Sequence, residues 1–255
     1  MPLPPSAASP AAPPVNSATG QRHRHVPAMR RVEILSLAQN GDVNEAMRLV
    51  PALPAFDDAF AALARGTILP TERGHVAVED LLPGDRVRCG RDGFETLVWR
   101  GSTMVVPGAA GQDPAMGRLT RIAADSMGIA RPMPDLVLGP KARLVHRAPG
   151  IRVLTGQEAA LIPAADFIDG IQVVALTPAT PVQVFQLGFR QHVRLTANGV
   201  EIESHHPGPA HLTGLRAEML QLYLSCFPHV ERLEDFGAPM LPRLRRADLD
   251  LFDVA

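Results

Sequence analysis

Aromatic residues make up only 4% of this 255-residue chain, with one tryptophan, one tyrosine and nine phenylalanines. Any core must therefore be filled largely by valine, leucine, isoleucine, alanine and methionine. Cysteine is scarcer still: Cys89 and Cys226 are too few for a disulfide framework and lack metal-ligand spacing. That scarcity makes a reducing, cytoplasmic setting the default expectation. No apolar run nears the roughly 18 residues of a membrane-spanning helix, and the amino terminus lacks the apolar core of a secretory signal. Net charge is almost absent, at −1 with a pI near 6.8, which argues against a nucleic-acid or membrane partner for the chain as a whole. No phosphate-binding loop of the required spacing occurs, so no cofactor is expected.

Proline, by contrast, is plentiful. Its 25 occurrences are about twice the usual share of roughly 5%, which disfavours a helical bundle and suits a loop-rich β protein. Residues 1–27 contain seven prolines and no acidic residue, so residues 1–31 are expected to be a disordered tail that cannot offset its ordering entropy. Arg22, His23, Arg24 and His25, followed by Arg30 and Arg31, form a basic arm too small for a strong electrostatic footprint. Residues 32–61 are expected to be a short helical segment. Ile34, Leu35, Leu37 and Ala38 end at Asn40-Gly41, and Asp42 stands three residues before Glu45 in the manner of a capping box, which together predict a helical hairpin. A third helix is expected from Phe56 to Ala64.

From Arg65 the pattern alternates with period two and is cut by Pro83-Gly84-Asp85 and Arg91-Asp92-Gly93, the signature of short antiparallel strands. Further strands are expected in Asp135 to His146, Ile151 to Leu154, Ala160 to Ile162 and Ile171 to Leu176. The clearest hairpin pairs His192 to Thr196 with Val200 to Glu203 around the type I′ turn signal Asn198-Gly199. Beyond it, Thr213 is positioned to cap a helix bearing Leu215, Met219, Leu222 and Cys226, ended by Pro228, and Leu244, Leu249, Leu251 and Phe252 are expected to pack the tail back.

Gly66-Thr67-Ile68, Val78-Glu79-Asp80-Leu81 and Pro83-Gly84-Asp85-Arg86-Val87 together resemble the opening of the Hint (hedgehog and intein) domain in its bacterial branch. The resemblance implies a mainly β fold of intertwined hairpins over residues 62–208, with short helices before it and a helical extension over 209–255. It also implies self-cleavage, in which a cysteine attacks its preceding carbonyl and a histidine assists the departing nitrogen. Carried over residue by residue, the cysteine position is Ala62. The second motif, which resembles Ser-Pro-x-His-Arg, is Gly139-Pro140-Lys141-Ala142-Arg143, with Ala142 at the histidine. The third motif is retained as His192, Ala197-Asn198-Gly199 and His206, although Arg190 replaces a common acidic residue and makes the surroundings more basic.

Two readings of function follow. In the first, a domain degenerate for self-cleavage serves as a binding or scaffold module for a protein partner. In the second, processing or hydrolysis survives on His192 and His206 with Thr67 or Cys89 as an unusual nucleophile, the thiol being activated by Arg86, Arg88 and Arg91. His192, His205, His206 and His211 lack a cysteine partner and adjacent ones point apart, so no metal is expected.

Overall fold

A computed structural model describes residues 28–90, 93–209, 213–250 and 252. Of the tail expected over residues 1–31, residues 1–27 lie outside the described residues, as do the Arg91-Asp92 turn, His211 and Leu251, whereas Met29–Arg31 is corrected to ordered strand, paired with Leu49–Pro51. In chain order the elements are β1 (Met29–Leu37), β2 (Val43–Pro51), α1 (Pro54–Phe60), β3 (Leu63–Ala64), β4 (Ile68–Thr71), β5 (Gly74–Ala77), β6 (Arg86–Cys89), β7 (Gly93–Thr96) and β8 (Trp99–Val105). They continue with β9 (Leu119–Ile122), β10 (Leu136–Leu138), β11 (Arg143–His146), α2 (Pro149–Thr155), β12 (Ala160–Pro163), β13 (Val173–Leu176), β14 (Val182–Gly188), β15 (Arg194–Ala197), β16 (Val200–Glu203) and α3 (Ala217–Leu224).

The strands form two sheets. One runs β13-β9-β10-β3-β14-β8-β1-β2 and the other β12-β11-β16-β15-β6-β4-β5, with β7 on β6. Every pairing between strands is antiparallel. The expected β fold is therefore present. Leu63, Leu138 and Phe185 of the first sheet pack with Leu69, Val87, Leu144, Leu195 and Ile202 of the second in one largely aliphatic core. The hairpin of β15 and β16 turns at Asn198 and Gly199, whose φ angles of 47° and 88° fit the turn read from the sequence.

The predicted amino-terminal helices are corrected to a β-hairpin: β1 and β2 pair over their whole lengths, and β1 also pairs with β8 from Val32↔Thr103 to Ser36↔Trp99. The physical reason is that Val32 and Ile34 alternate into a core while β8 offers a free strand edge, so tertiary pairing overrides a local pattern that also fitted a helix. Asn40-Gly41 is the hairpin turn, not a helix stop. Helix α1 starts at Pro54, and Leu63–Ala64, read as its end, are strand β3. Ile151 to Leu154, expected as a strand, lies in α2, which has Pro149 at its first turn and Gly156 in the left-handed conformation at its end. Asp135 to His146 is two strands bent at Gly139–Lys141. The carboxy-terminal helix is present, but Arg216 and not Thr213 occupies its cap.

A second core joins the appendages. Val32, Ile34 and Val50 of the hairpin, Phe56 and Phe60 of α1, Trp99 of β8, and Tyr223, Cys226, Phe227 and Phe236 of the extension are all buried together. Pro242–Leu244 returns along β12, where Leu161 N–H donates to the Pro242 carbonyl and Leu244 N–H to that of Leu161. That strand edge is thereby covered. Leu249 is buried against the aliphatic core, as expected for the tail.

Candidate functional site

Between the two cores lies a knot of buried charge centred on Glu203. This side chain is 3% exposed, at the end of β16 where the alternation Val200, Glu201, Ile202, Glu203 reads as solvent-facing. Arg143 Nη1 stands 3.2 Å from its Oε2, and Arg243 Nε, from the carboxy-terminal extension, donates to its Oε1 at 3.0 Å. Arg143 Nη2 also donates to Asp58 of α1 at 2.7 Å, and Lys141 Nζ lies 3.6 Å from the same carboxylate. Burial alone would raise the Glu203 pKa. The His192 contact and the Arg243 and Arg143 guanidiniums outweigh it and hold the carboxyl at about 2.

His192 and His206 come together beside this carboxylate, their rings stacked at 4.6 Å. The Met240 N–H donates to His192 Nδ1 at 3.1 Å, leaving Nε2 to carry the proton, 3.2 Å from Glu203 Oε1 but without hydrogen-bond alignment. The Gly208 N–H donates to His206 Nδ1 at 2.9 Å, so His206 Nε2–H donates to the Gly237 carbonyl at 3.1 Å. Each ring nitrogen of the pair thus faces a protein partner. Burial pushes His206 down to about 4, with His192 and Arg243 adding to the shift. The basic neighbour is therefore Arg243, and exposed Arg190, expected to act this way, is not among the charges that matter.

His205 points the other way, as adjacent strand residues do. It stacks on Phe227 at 4.8 Å and its Nε2 lies 3.0 Å from the Tyr223 hydroxyl. Full burial pushes its pKa well below that of free imidazole. No cluster of metal-ligating side chains occurs among the described residues.

The remaining candidates are elsewhere. Thr67 is buried, and its hydroxyl donates to the Ala64 carbonyl at 2.7 Å. The next residue, Ile68, donates its N–H to Asn198 Oδ1, placing Thr67 at the turn end of the third-motif hairpin. His192 precedes the open end of that hairpin, six residues from Asn198, or ~20 Å at strand rise. Cys89 is corrected as well: burial, with Glu95 beside it, pushes the thiol up to about 12, so the neighbouring arginines do not activate it. Cys226 is buried in the aromatic core and pushed up to about 11 by burial.

Ala62 and Ala142, at 3% exposure each, lie in the same aliphatic cluster. The bend after β10 brings their segments together: Gly139 N–H donates to the Ala62 carbonyl at 2.7 Å and Lys141 N–H to that of Ala61 at 2.9 Å. Gly139 is required there, because a Cβ would collide with the Ala61 carbonyl. Sequence reasoning missed Glu203, Asp58 and Arg243 as members of the site. Arg143 was visible as a motif position, but its carboxylate partners lie 85 and 60 residues away.

Two antiparallel sheets, with the second-motif bend at Gly139–Lys141 hydrogen-bonded to Ala61 and Ala62 just before β3, define a mainly β domain. Over residues 61–209, more than half of its length, the sequence matches the Hint domain model, and the chain belongs to the Hint domain family. Among solved structures it is similar to a bacterial intein-like domain from Clostridium thermocellum, at 11% identity and a TM-score of 0.40, covering 58% of this chain and 100% of the other. It is also similar to a splice-inactive variant of the AceL NrdHF class 3 split intein, at 12% identity and a TM-score of 0.39, covering 56% and 97%. No curated protein matches the sequence.

Proposed function

We propose that this chain is a Hint domain degenerate for self-cleavage, acting as a binding or scaffold module. The observation that carries the reading is the architecture upstream of Ala62. In a processing domain that part of the chain is what scission releases. Here β1 is hydrogen-bonded into the sheet through β8, and α1 contributes Phe56 and Phe60 to a core shared with the carboxy-terminal extension. Cutting before Ala62 would sever a chain still held on both sides by its own fold.

The chemistry agrees. Alanines at the cysteine position, 62, and at the second-motif histidine, 142, remove nucleophile and proton donor together, and losing one member of such a unit can cost on the order of 10⁶ in rate. The alternative, hydrolysis on His192 and His206, needs a nucleophile within about 3 Å of a free ring nitrogen. Their nitrogens face backbone groups and Glu203, and neither Thr67 nor Cys89 is among their partners.

Intact mass of the freshly purified full chain, before and after incubation with a thiol or hydroxylamine, tests this. One unchanged mass is expected. Two masses summing to the whole, with a junction before Ala62, would contradict the reading.

A further inference from the structure

The edges of the two sheets are protected unequally. The β12 edge is covered by Pro242–Leu244, and β5, β7 and β13 are four residues each. Strand β2 closes the first sheet with nine residues and pairs with β1 alone, and from Val43 to Leu49 it is exposed except at half-buried Ala46. Edges of that length ordinarily carry several charges, a bulge or a mid-strand proline that discourages further pairing. Here Glu45 and Arg48 are the only charges, the register with β1 runs unbroken, and Pro51 stands at the very end.

The direction of the free backbone groups follows from the register. Ala38 N–H donates to the Asp42 carbonyl at 2.8 Å and Ala52 N–H to that of Ala28 at 2.7 Å, in line with the pairing of Met29 with Pro51. Ladder bonds recur at every second residue, so Asn44, Ala46, Arg48 and Val50 bond to β1, while Val43, Glu45, Met47 and Leu49 turn their N–H and C=O groups to the free edge. The side chains of those four residues share one face, where Val43 is 41%, Met47 51% and Leu49 65% exposed. Open backbone groups and exposed apolar side chains therefore coincide.

This edge is complementary to itself. In a two-fold antiparallel pairing, outward-turned residues must oppose outward-turned residues, so one residue position falls on the axis opposite its own copy. An axis at Glu45 or Arg48 opposes like charges, and one at Met47 sets Val43 against Pro51, which has no N–H to donate. An axis at Ala46 avoids both. It lays Leu49 on Val43 of the second copy and Arg48 opposite Asn44, with Asp42 one diagonal step away and within reach of a long side chain. Arg48 and Asp42 are exposed and neither enters an ion pair among the described residues. Across the axis each Arg48 gains an Asp42, twice over.

We propose that β2 pairs with β2 of a second copy of this chain, antiparallel about Ala46, joining the two first sheets into one continuous sheet. The occupant is a second copy because the match of Leu49 with Val43 and of Arg48 with Asp42 is contained in the strand itself. The inference goes beyond the module reading, since the pairing of β2 does not depend on whether the chain cuts before Ala62.

Sedimentation equilibrium of the full chain over a wide concentration range tests it. The mass should climb from 27.3 kDa towards twice that value. Met47→Pro removes an outward N–H and none of the β1 ladder, and because symmetry counts the loss twice it should weaken dimerisation about tenfold or more. Ile171→Lys, at an exposed apolar residue off β2, should leave it unchanged. A second readout stands even if the proline variant misfolds. Both native cysteines are buried, and Ala46→Cys should close a disulfide across the axis under mild oxidation, since facing residues of a non-hydrogen-bonded pair stand about 4.5 Å apart at Cα. Val43→Cys, more exposed but opposed by Leu49, should not. A constant 27.3 kDa would leave the edge to another segment or an unlike partner and overturn the proposal. So would undiminished dimerisation by folded Met47→Pro, equal loss in Ile171→Lys, or cross-linking at Val43→Cys as readily as at Ala46→Cys. Self-cleavage is read separately by intact mass, so a monomeric, uncut chain refutes the dimer alone.

Discussion

The protein has two cores built from different materials. The one between the sheets is aliphatic, with Phe167, Phe185 and Phe189 its only aromatic members, and it lies within the stretch that matches the family, apart from Leu249. The one joining the amino-terminal hairpin and α1 to the carboxy-terminal extension holds Phe56, Phe60, Trp99, Tyr223, Phe227 and Phe236, six of the eleven aromatic residues in the chain. The difference teaches what the appendages are. Each is too small to bury much surface alone, and large rings supply the most buried area per residue. The scarce aromatics are spent where two short segments must hold each other and the domain. Glu203 sits on the seam, tied by Arg143 to Asp58 of α1 and by Arg243 to the extension.

The comparison breaks most visibly at Trp99, which is fully buried, lies 4.7 Å from Phe227 and donates its indole N–H to the Cys226 carbonyl at 2.7 Å. Trp99→Ala is expected to cost about 4 kcal/mol in urea denaturation, more than an aliphatic Leu195→Val in the other core. Glu203→Ala comes next. It leaves Arg243 without its carboxylate and Arg143 with Asp58 alone, and is expected to cost about 3 kcal/mol by the same measurement.

Acid should then loosen the seam in two stages. His206 is held at about 4 against an ordinary 6.5, so its folded pKa is lowered, and the stability it confers is present above pH 6.5 and lost as pH falls towards 4. His205 and His229 are lowered in the same direction by burial. Glu203, held at about 2 against 4.5, adds a second loss over that lower window. Thermal melts across this range should show the midpoint falling first with the histidines and again below pH 4.5. A flat profile from 6.5 to 4 would remove the histidines from the account. The smallest effect is at His229, whose Nδ1 is buried without a partner between Phe227 and Phe236. His229→Phe should be neutral or stabilising, within about 1 kcal/mol.

How much was legible in the sequence follows the same division. The β15–β16 hairpin could be read because its signals are local: alternation on both sides of Asn198-Gly199. The family motifs located the third-motif histidines by short spacings, whereas the bend at Gly139, inside a run that alternates like one strand, was not legible. The amino-terminal hairpin was misread because Ile34, Leu35 and Leu37 fit a helix as well as a strand, and only the edge of β8 decides between them. The polar seam was not legible at all. Glu203 looks solvent-facing in a period-two pattern, and it is buried by Arg243, forty residues on, in an extension whose path no local signal specifies.

Separate expression of residues 1–61 and 62–255 tests the central claim most directly, namely that the segment before Ala62 is part of the fold and not cargo. The account predicts that 62–255 alone lacks a cooperative melt and binds a hydrophobic dye through its exposed aromatic core. Mixing or coexpression with 1–61 should restore a one-to-one complex that melts like the intact chain. If 62–255 alone melts at the temperature of the full chain, the amino-terminal segment is dispensable and the account is wrong.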